Sequence, residues 1–215
     1  MRYELVIFDF DGTLADSFGW FVEVYNDAAR KFGFRAMEEG ELGELRGLSG
    51  RELMKHAGVS PWKLPSIVRH VRRLKTREGH RVALFPGVEE VLRRLSEAGV
   101  TLAVATSNSR ANVVRALGPE NAALIRHWEC DISLFGKKAG FRRVLRRSGI
   151  APARALCVGD EIRDADAARA AGIPFGAVSW GYTTADALRA SGPAEMFARV
   201  DEIVEVVTGA ACRRR

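Results

Sequence analysis

Asp9 and Asp11 stand one residue apart directly after an apolar run, and Gly12 follows them. An apolar run bounded by turn residues is typical of a buried strand in a parallel sheet. Gly12, which follows the two carboxylates, allows a tight turn. Open α/β sheets bind ligands at the carboxyl ends of their strands. This stretch therefore predicts a pair of catalytic carboxylates more strongly than an ordinary Asp-Gly turn.

Polar residues also follow two later strand-like segments. Thr106, Ser107 and Asn108 come after the apolar run 100–105. A hydroxyl and free backbone N–H groups at a helix start suit a phosphate oxygen, although the same residue types are also ordinary helix caps. Lys137 and Lys138 follow a further expected strand across a glycine. A lysine there would neutralise phosphate charge, and a solvated loop lysine is the alternative.

Three acidic residues form the last candidate group, Asp160, Glu161 and Asp164, just after an apolar strand that ends at Val158. Clustered carboxylates repel one another unless a cation holds them. A simple helix cap would explain Asp164 but neither of the other two. This segment therefore predicts a metal site.

The elements that must position these residues alternate along the second half of the chain. The patterns predict strands at 100–105, 128–134, 155–158 and 175–179, with helices at 86–98, 108–117, 139–148 and 164–171. Such alternation is typical of an α/β fold with a doubly wound parallel sheet. The polar groups described above would then meet at one edge of that sheet.

Residues 16–81 interrupt this alternation. They show helical periodicity throughout and are far longer than the dozen or so residues that a crossover needs. We expect a core formed by 1–15 and 82–215 and an inserted all-helical cap at 16–81. Because the insertion leaves the core just after Asp11, we expect it to cover the site as a lid.

Composition limits the class of protein. The chain has 215 residues, a net charge of +6 and 47% hydrophobic residues, as in an ordinary globular protein. No apolar run approaches the ~20 residues of a membrane span, and the early strand leaves no room for a signal peptide. Cys130, Cys157 and Cys212 show no metal-ligand spacing. We expect a cytoplasmic protein without a membrane partner.

The positive charge comes mostly from arginine. Arg142, Arg143, Arg146 and Arg147 lie on one predicted helix, and 213–215 form a basic tail. No helix-turn-helix, zinc pattern or aromatic sheet surface accompanies them. We therefore interpret them as a solvated helix face and a frayed terminus, and nucleic acid is an unlikely partner. The oligomeric state is not predicted.

The four polar segments, in this order, resemble those of the haloacid dehalogenase superfamily of aspartate-nucleophile phosphotransferases. The first is Asp9-Phe10-Asp11-Gly12-Thr13-Leu14, the second is Thr106, the third is Gly136-Lys137, and the fourth is Gly159-Asp160 with Asp164. The helical insertion between the first two resembles the small cap of the phosphoglycolate-phosphatase-like subgroup. The resemblance implies a Rossmann-like core and covers that core in full.

The resemblance also implies roles for individual residues. Asp9 would be the nucleophile, and Asp11 would protonate the leaving alcohol and then activate water. Lys137 would neutralise charge, and the phosphoryl oxygens would contact Gly12, Thr106, Ser107, Asn108 and Lys137. Mg²⁺ would be held by Asp9, the backbone carbonyl of Asp11 and Asp160, with Asp164 and Glu161 supporting those ligands from outside. These are roles that phosphoryl transfer requires.

The predicted function is a Mg²⁺-dependent phosphatase acting on a small phosphorylated metabolite, with phosphoglycolate as the substrate suggested by the subgroup. Asp11 favours phosphatases and mutases over dehalogenases, which lack an Asp there. A sugar phosphomutase and a catalytically silent binding protein are the alternatives. In the cap, Arg46 or Arg51 is a candidate for a substrate carboxylate, and a solvent-exposed arginine is the alternative for each.

Overall fold

The computed structural model describes residues 1–48, 50–78, 82–133 and 136–209. Its strands are β1 (Leu5–Phe8), β2 (Ala15–Asp16), β3 (Ala83–Leu84), β4 (Thr101–Ala105), β5 (Ile125–Glu129), β6 (Ala155–Gly159), β7 (Phe175–Val178) and β8 (Glu195–Phe197). Six of them form a parallel sheet in the order β5-β4-β1-β6-β7-β8. The predicted doubly wound parallel sheet is confirmed.

The helices are α1 (Phe18–Phe32), α2 (Leu42–Leu45), α3 (Gly50–His56), α4 (Leu64–Glu78), α5 (Val88–Glu97), α6 (Arg110–Leu124), α7 (Lys137–Ser148), α8 (Ile162–Ala171), α9 (Ala185–Ala190) and α10 (Glu202–Thr208). Short 3₁₀ turns lie at Glu39–Glu41, Pro61–Lys63 and Pro152–Arg154. Helix α6 is interrupted at Gly118, whose φ of 74° is left-handed.

Helices cover both faces of the sheet. On β1, Val6 and Phe8 belong to one hydrophobic cluster, whereas Leu5 and Ile7 belong to a second. Helices α5, α6 and α10 complete the first cluster, and α7, α8 and α9 complete the second. A strand buried on both faces is apolar at every position, which explains the unbroken apolar run in the sequence.

Helices α1 to α4 form the predicted helical cap between β2 and β3. The two short strands pair antiparallel at its base, through Ala15 with Leu84 and Asp16 with Ala83. Trp20 and Val24 of α1 pack against Leu74 of α4. The predicted cap boundary at Arg81 lies outside the described residues. The domain division at 16–81 stays a prediction.

Several predicted bounds are wrong at the sheet edges. The strand predicted at 128–134 is β5, which ends at Glu129, and Ile132 instead packs from the following loop into the second cluster. Strand β5 lies at the edge of the sheet and contains polar residues, so its sequence has no apolar run. The prediction therefore included the apolar Ile132 and placed the strand too far along the chain. Strands β3 and β8 were not predicted because each is very short.

Two interpretations from composition can be compared with the structure. Arg143 and Arg147 are not simply solvated, because both form ion pairs with the buried Glu129, at 2.6 and 2.9 Å. Cys157 is buried in the second cluster, as expected, and burial raises the pKa of its thiol. Cys212 and the basic tail lie outside the described residues. Within the described residues, no helix has the length and apolar character needed to cross a bilayer.

Candidate active site

Asp9 and Asp11 lie where the chain leaves β1 at the carboxyl edge of the sheet. The Phe10 N–H donates to Asp9 Oδ1 at 2.8 Å, which fixes the buried Asp9 carboxylate. Gly12 adopts a left-handed φ of 78°, and its N–H donates to the Ala15 carbonyl at 2.8 Å. The tight turn expected at the glycine is therefore present directly after Asp11.

Lys137 stands at the first position of α7 and is buried between two carboxylates. Its Nζ lies 2.6 Å from Asp9 Oδ2 and also contacts Asp164 Oδ1. Lys138, the next residue, is exposed. Burial opposes the charge of Lys137, but attraction to Asp164 and Asp9 outweighs it and raises the pKa of the ammonium group. Lys137 is therefore a permanent cation beside Asp9.

Asp9, Asp160 and Asp164 form a buried acidic cluster, with one oxygen of each lying within 4.8 Å of the others. Thr13 Oγ1 donates to Asp160 Oδ1 at 2.7 Å, and the Tyr182 N–H donates to Asp160 Oδ2 at 2.7 Å. The Glu161 N–H donates to Asp164 Oδ2 at 3.2 Å. Three elements, β1, β6 and α8, thus bring these carboxylates together.

The electrostatics of the cluster favour a bound cation. Burial, together with repulsion from Glu161 and Asp9, raises the pKa of Asp160 well above its usual range. Burial raises the pKa of Asp164 to about 7, against the attraction of Lys137. Carboxylates buried this close together repel one another, and a bound cation would relieve that repulsion.

Asp9 Oδ2 supplies a second indication of a cation site. It is buried and has no hydrogen-bond partner within the described part of the chain, because the Lys137 ion pair is not aligned as a hydrogen bond. A buried carboxylate oxygen without a donor is costly. Oxygen ligands of this kind are those that Mg²⁺ prefers. The residues present therefore fit a divalent cation.

Glycines allow the chain to pass closely around Asp160. A Cβ on Gly12 would lie 2.2 Å from Asp160 Oδ2 and 2.6 Å from a ring carbon of Tyr182. A Cβ on Gly181 would lie 2.2 Å from Asp160 Cβ. No side chain fits at either position. These contacts hold the Asp160 carboxylate in one place.

Asp11 faces the cap rather than the acidic cluster. Lys75 of α4 places its Nζ 2.6 Å from Asp11 Oδ2. Asn108 Nδ2 lies 3.4 Å from both carboxylate oxygens. The Asp11 carboxylate is thus held by a cation from the cap and by a side-chain amide from the segment after β4.

The segment after β4 contributes the buried Thr106 and Asn108 and the half-buried Ser107. The Asn108 N–H donates to Thr106 Oγ1 at 3.0 Å. Asn108 Oδ1 accepts from the Ser109 N–H and from Asn112 Nδ2. This network holds the Asn108 side-chain amide beside Asp11 and fixes the Thr106 hydroxyl in the same turn.

Two residues from the predicted site have other contacts. The Arg46 guanidinium donates to the carbonyls of Gly181 and Tyr182. Glu161 caps α8 and forms an ion pair with Arg163 at 2.5 Å. The structure brings neither residue into the acidic cluster. The side chain of Arg51 is outside the described part of the structure.

Three residues of the site were missed. Thr13 lies within the first motif, and its position there was the one indication in the sequence that its hydroxyl could reach the site. Lys75 and Tyr182 reach the site from α4 and from the loop after β7. Neither stands in a recognisable motif, because each depends on how the cap and that loop pack over the sheet edge.

The carboxyl edge of a parallel α/β sheet thus carries Asp9, the buried Lys137 and an acidic cluster beside a helical insertion. Residues 6–178 match the family model of haloacid dehalogenase-like hydrolases. The chain belongs to this family and is an enzyme of it, as predicted.

Relatives and solved structures extend this result over nearly the whole chain. A phosphoglycolate phosphatase from Synechococcus elongatus is 32% identical over 206 residues, covering 95% of this chain and 97% of the relative. A tyrosine-protein kinase PtkA from Mycobacterium tuberculosis is 33% identical over 190 residues, covering 85% of this chain and 64% of that protein. A haloacid dehalogenase-like hydrolase from Streptococcus pneumoniae superposes with a TM-score of 0.81 at 20% identity, covering 95% and 98% of the two chains. The last comparison bears on the fold alone.

Proposed function

We propose that this hydrolase is a Mg²⁺-dependent phosphatase that cleaves a small phosphomonoester through an aspartyl-phosphate intermediate on Asp9. The observation that carries the proposal is the position of Asp9, which is buried 2.6 Å from Lys137 Nζ and in one acidic cluster with Asp160 and Asp164. Phosphoryl transfer depends on positioning and on neutralisation of charge, and this arrangement supplies both.

In the first step, Asp9 attacks phosphorus, and an oxygen–phosphorus bond forms while the bond to the leaving oxygen breaks. Lys137 lowers the repulsion between the carboxylate and the phosphoryl group, because it already lies 2.6 Å from Asp9 Oδ2. Asp9 Oδ1 is fixed by the Phe10 N–H. A carboxylate held in this way is a competent nucleophile.

Asp11 supplies the proton that the leaving alkoxide takes up. The resulting carboxylate then removes a proton from the attacking water, and the bond between phosphorus and Asp9 breaks. Lys75 and Asn108 hold Asp11 in place for both steps. General acid and base catalysis of this kind contributes about 10²- to 10⁴-fold.

The phosphoryl oxygens would lie beside four residues, Gly12, Thr106, Ser107 and Asn108. Thr106 and Asn108 are already joined by a hydrogen bond, so their polar groups are pre-positioned. Donors fixed before the reaction stabilise developing charge without a cost of reorganisation.

Asp9 and Asp160, with the backbone carbonyl of Asp11, would hold Mg²⁺, and Asp164 would support them through Lys137. When bound, the ion neutralises charge on the phosphoryl oxygens. The close approach of Asp9, Asp160 and Asp164 and the raised pKa of Asp160 support this assignment.

A small organic phosphate is the proposed substrate, because Lys75 of the cap contacts Asp11 directly and so places the cap over the site. Phosphoglycolate is the first candidate, since it is the substrate in the name of the Synechococcus elongatus relative. A screen of phosphate release with small phosphomonoesters, sugar phosphates and nucleotides tests the proposal. We expect Mg²⁺-dependent release with at least one small organic phosphate, abolished by chelation. Release that is independent of divalent cations, or none from any substrate, contradicts it.

A further inference from the structure

Arg46, in the cap turn after α2, binds two successive backbone carbonyls of the core. Its Nε donates to the Tyr182 carbonyl at 3.2 Å, and Nη2 donates to the Gly181 carbonyl. The Arg46 carbonyl in turn accepts from the Thr184 N–H at 3.2 Å. The planar guanidinium suits two adjacent acceptors, whereas a lysine offers a single point charge. This cap turn and the segment 181–184 are thus joined in both directions.

The segment 181–184 also contacts the Asp160 carboxylate. The Tyr182 N–H donates to Asp160 Oδ2 at 2.7 Å, and Gly181 packs so closely on Asp160 that no Cβ fits. Arg46 therefore binds the carbonyls of the two residues that fix the Asp160 carboxylate. A single residue, Gly181 or Tyr182, therefore links the Arg46 guanidinium to the Asp160 carboxylate.

Tyr182 is joined to the cap by its side chain as well. Its hydroxyl lies 2.9 Å from Ser17 Oγ, just before α1. Its ring packs against Phe18 and Phe21, with centroids 5.4 and 5.3 Å apart. Arg46 lies over the Phe18 ring at 5.0 Å. Two parts of the cap thus converge on the residue that donates to Asp160.

We propose that Arg46 is a positioning residue, which places the Asp160 carboxylate through the segment 181–182 and so couples the seating of the cap to metal binding. The proposal rests on the proposed function for the identity of the metal site. It differs from the substrate contact expected from the sequence, because the guanidinium is directed at backbone carbonyls of the core.

The test compares Arg46→Ala and Arg46→Lys with a matched control, Arg35→Ala. Arg35 also lies in the cap, where its half-exposed side chain pairs with Glu41. The first readout needs no substrate: the unfolding temperature is measured against Mg²⁺ concentration. The second is kcat and KM for phosphoglycolate and for 4-nitrophenyl phosphate, at low and saturating Mg²⁺.

Removing a residue that orients a metal ligand typically lowers metal affinity or activity about 10- to 100-fold. Arg46 lies one residue further from the metal than such a residue. We therefore expect Arg46→Ala to raise the midpoint Mg²⁺ concentration about three- to tenfold. Arg46→Lys should raise it less, and Arg35→Ala should leave it unchanged. The loss of turnover should be equal for the two substrates, should disappear at saturating Mg²⁺, and should leave KM unchanged.

An unchanged Mg²⁺ midpoint, with KM raised only for phosphoglycolate, would assign Arg46 to the substrate and overturn the proposal. If Arg46→Ala does not fold, Arg46→Lys carries the same test. A wild-type protein that binds Mg²⁺ but releases no phosphate defeats the proposed function, whereas a shifted midpoint in Arg46→Ala still supports the coupling. Absence of any Mg²⁺ effect on wild-type unfolding overturns the coupling itself.

Discussion

Lys75 Nζ lies 2.6 Å from Asp11 Oδ2 and so joins the cap helix α4 to the candidate acid and base, although 64 residues separate the two in sequence. The α4 backbone is held at the same place, because Asn112 Nδ2 donates to the Lys75 carbonyl at 3.1 Å. The cap thus contributes a charged group to the site itself.

Lys75→Ala should lower turnover of an alkyl phosphate about tenfold, a fraction of the 10²- to 10⁴-fold that acid and base catalysis supplies. The loss should be smaller for an aryl phosphate, whose leaving group needs little protonation. Steady-state assays of both substrates measure this. Lys55→Ala, at an exposed position of α3, is the control. Increased turnover in Lys75→Ala would instead mean that the lysine blocks the site.

Asp11→Asn should separate the two steps of the proposed reaction. With an activated aryl phosphate, the variant should still form the aspartyl phosphate, because that leaving group departs without a proton. Hydrolysis of the intermediate should slow by about 10²-fold or more, since the base that activates water is lost. Rapid-quench kinetics would show a burst followed by slow turnover. Unimpaired turnover of an alkyl phosphate would make Asp11 structural.

The adjacent lysines of α7 should differ in both activity and stability. Lys137→Ala leaves Asp9 and Asp164 without their cation, and breaking a buried ion pair costs about 3 kcal/mol or more of unfolding free energy. Turnover should fall below detection. Lys138→Ala, at the neighbouring exposed position, should change stability by less than about 0.5 kcal/mol. Urea unfolding without Mg²⁺ and phosphate release measure the two effects. The reverse ranking would refute the choice of Lys137.

Gly181→Ala should displace the Asp160 carboxylate, because the added Cβ would lie 2.2 Å from Asp160 Cβ. We expect a weaker Mg²⁺ effect on the unfolding temperature and a loss of turnover that high Mg²⁺ restores only in part. Gly19→Ala is the matched control, since a Cβ there meets nothing within 4 Å and alanine favours a helix. Similar results for the two variants would mean that the close packing on Asp160 has no functional consequence.

The central strands and the acidic segments were predictable because their signals are local. The strand β1 is buried on both faces, so its sequence is apolar throughout, and Asp9 and Asp160 follow their strands directly. The strand β5 was misplaced because an edge strand tolerates Arg126 and His127, and its pattern is weak.

Other parts of the site depend on distant packing. Tyr182 donates to Asp160 through its backbone N–H, which every residue except proline possesses, so its identity carries no signal for that bond. Lys75 is one of several basic residues on α4, and only the placement of the cap over Asp11 distinguishes it. The contacts of Arg46 with two backbone carbonyls are equally invisible in the sequence.

The central claim is that Asp9 carries the phosphoryl group, and chemical trapping tests it most directly. The protein is mixed with Mg²⁺ and its best substrate, borohydride is added during turnover, and the peptide containing Asp9 is analysed by mass spectrometry. An acyl phosphate is reduced under these conditions, so the account predicts homoserine at position 9, only when substrate and Mg²⁺ are both present. Sustained phosphate release with Asp9 unmodified, or with Asp9→Asn retaining wild-type turnover, would contradict it.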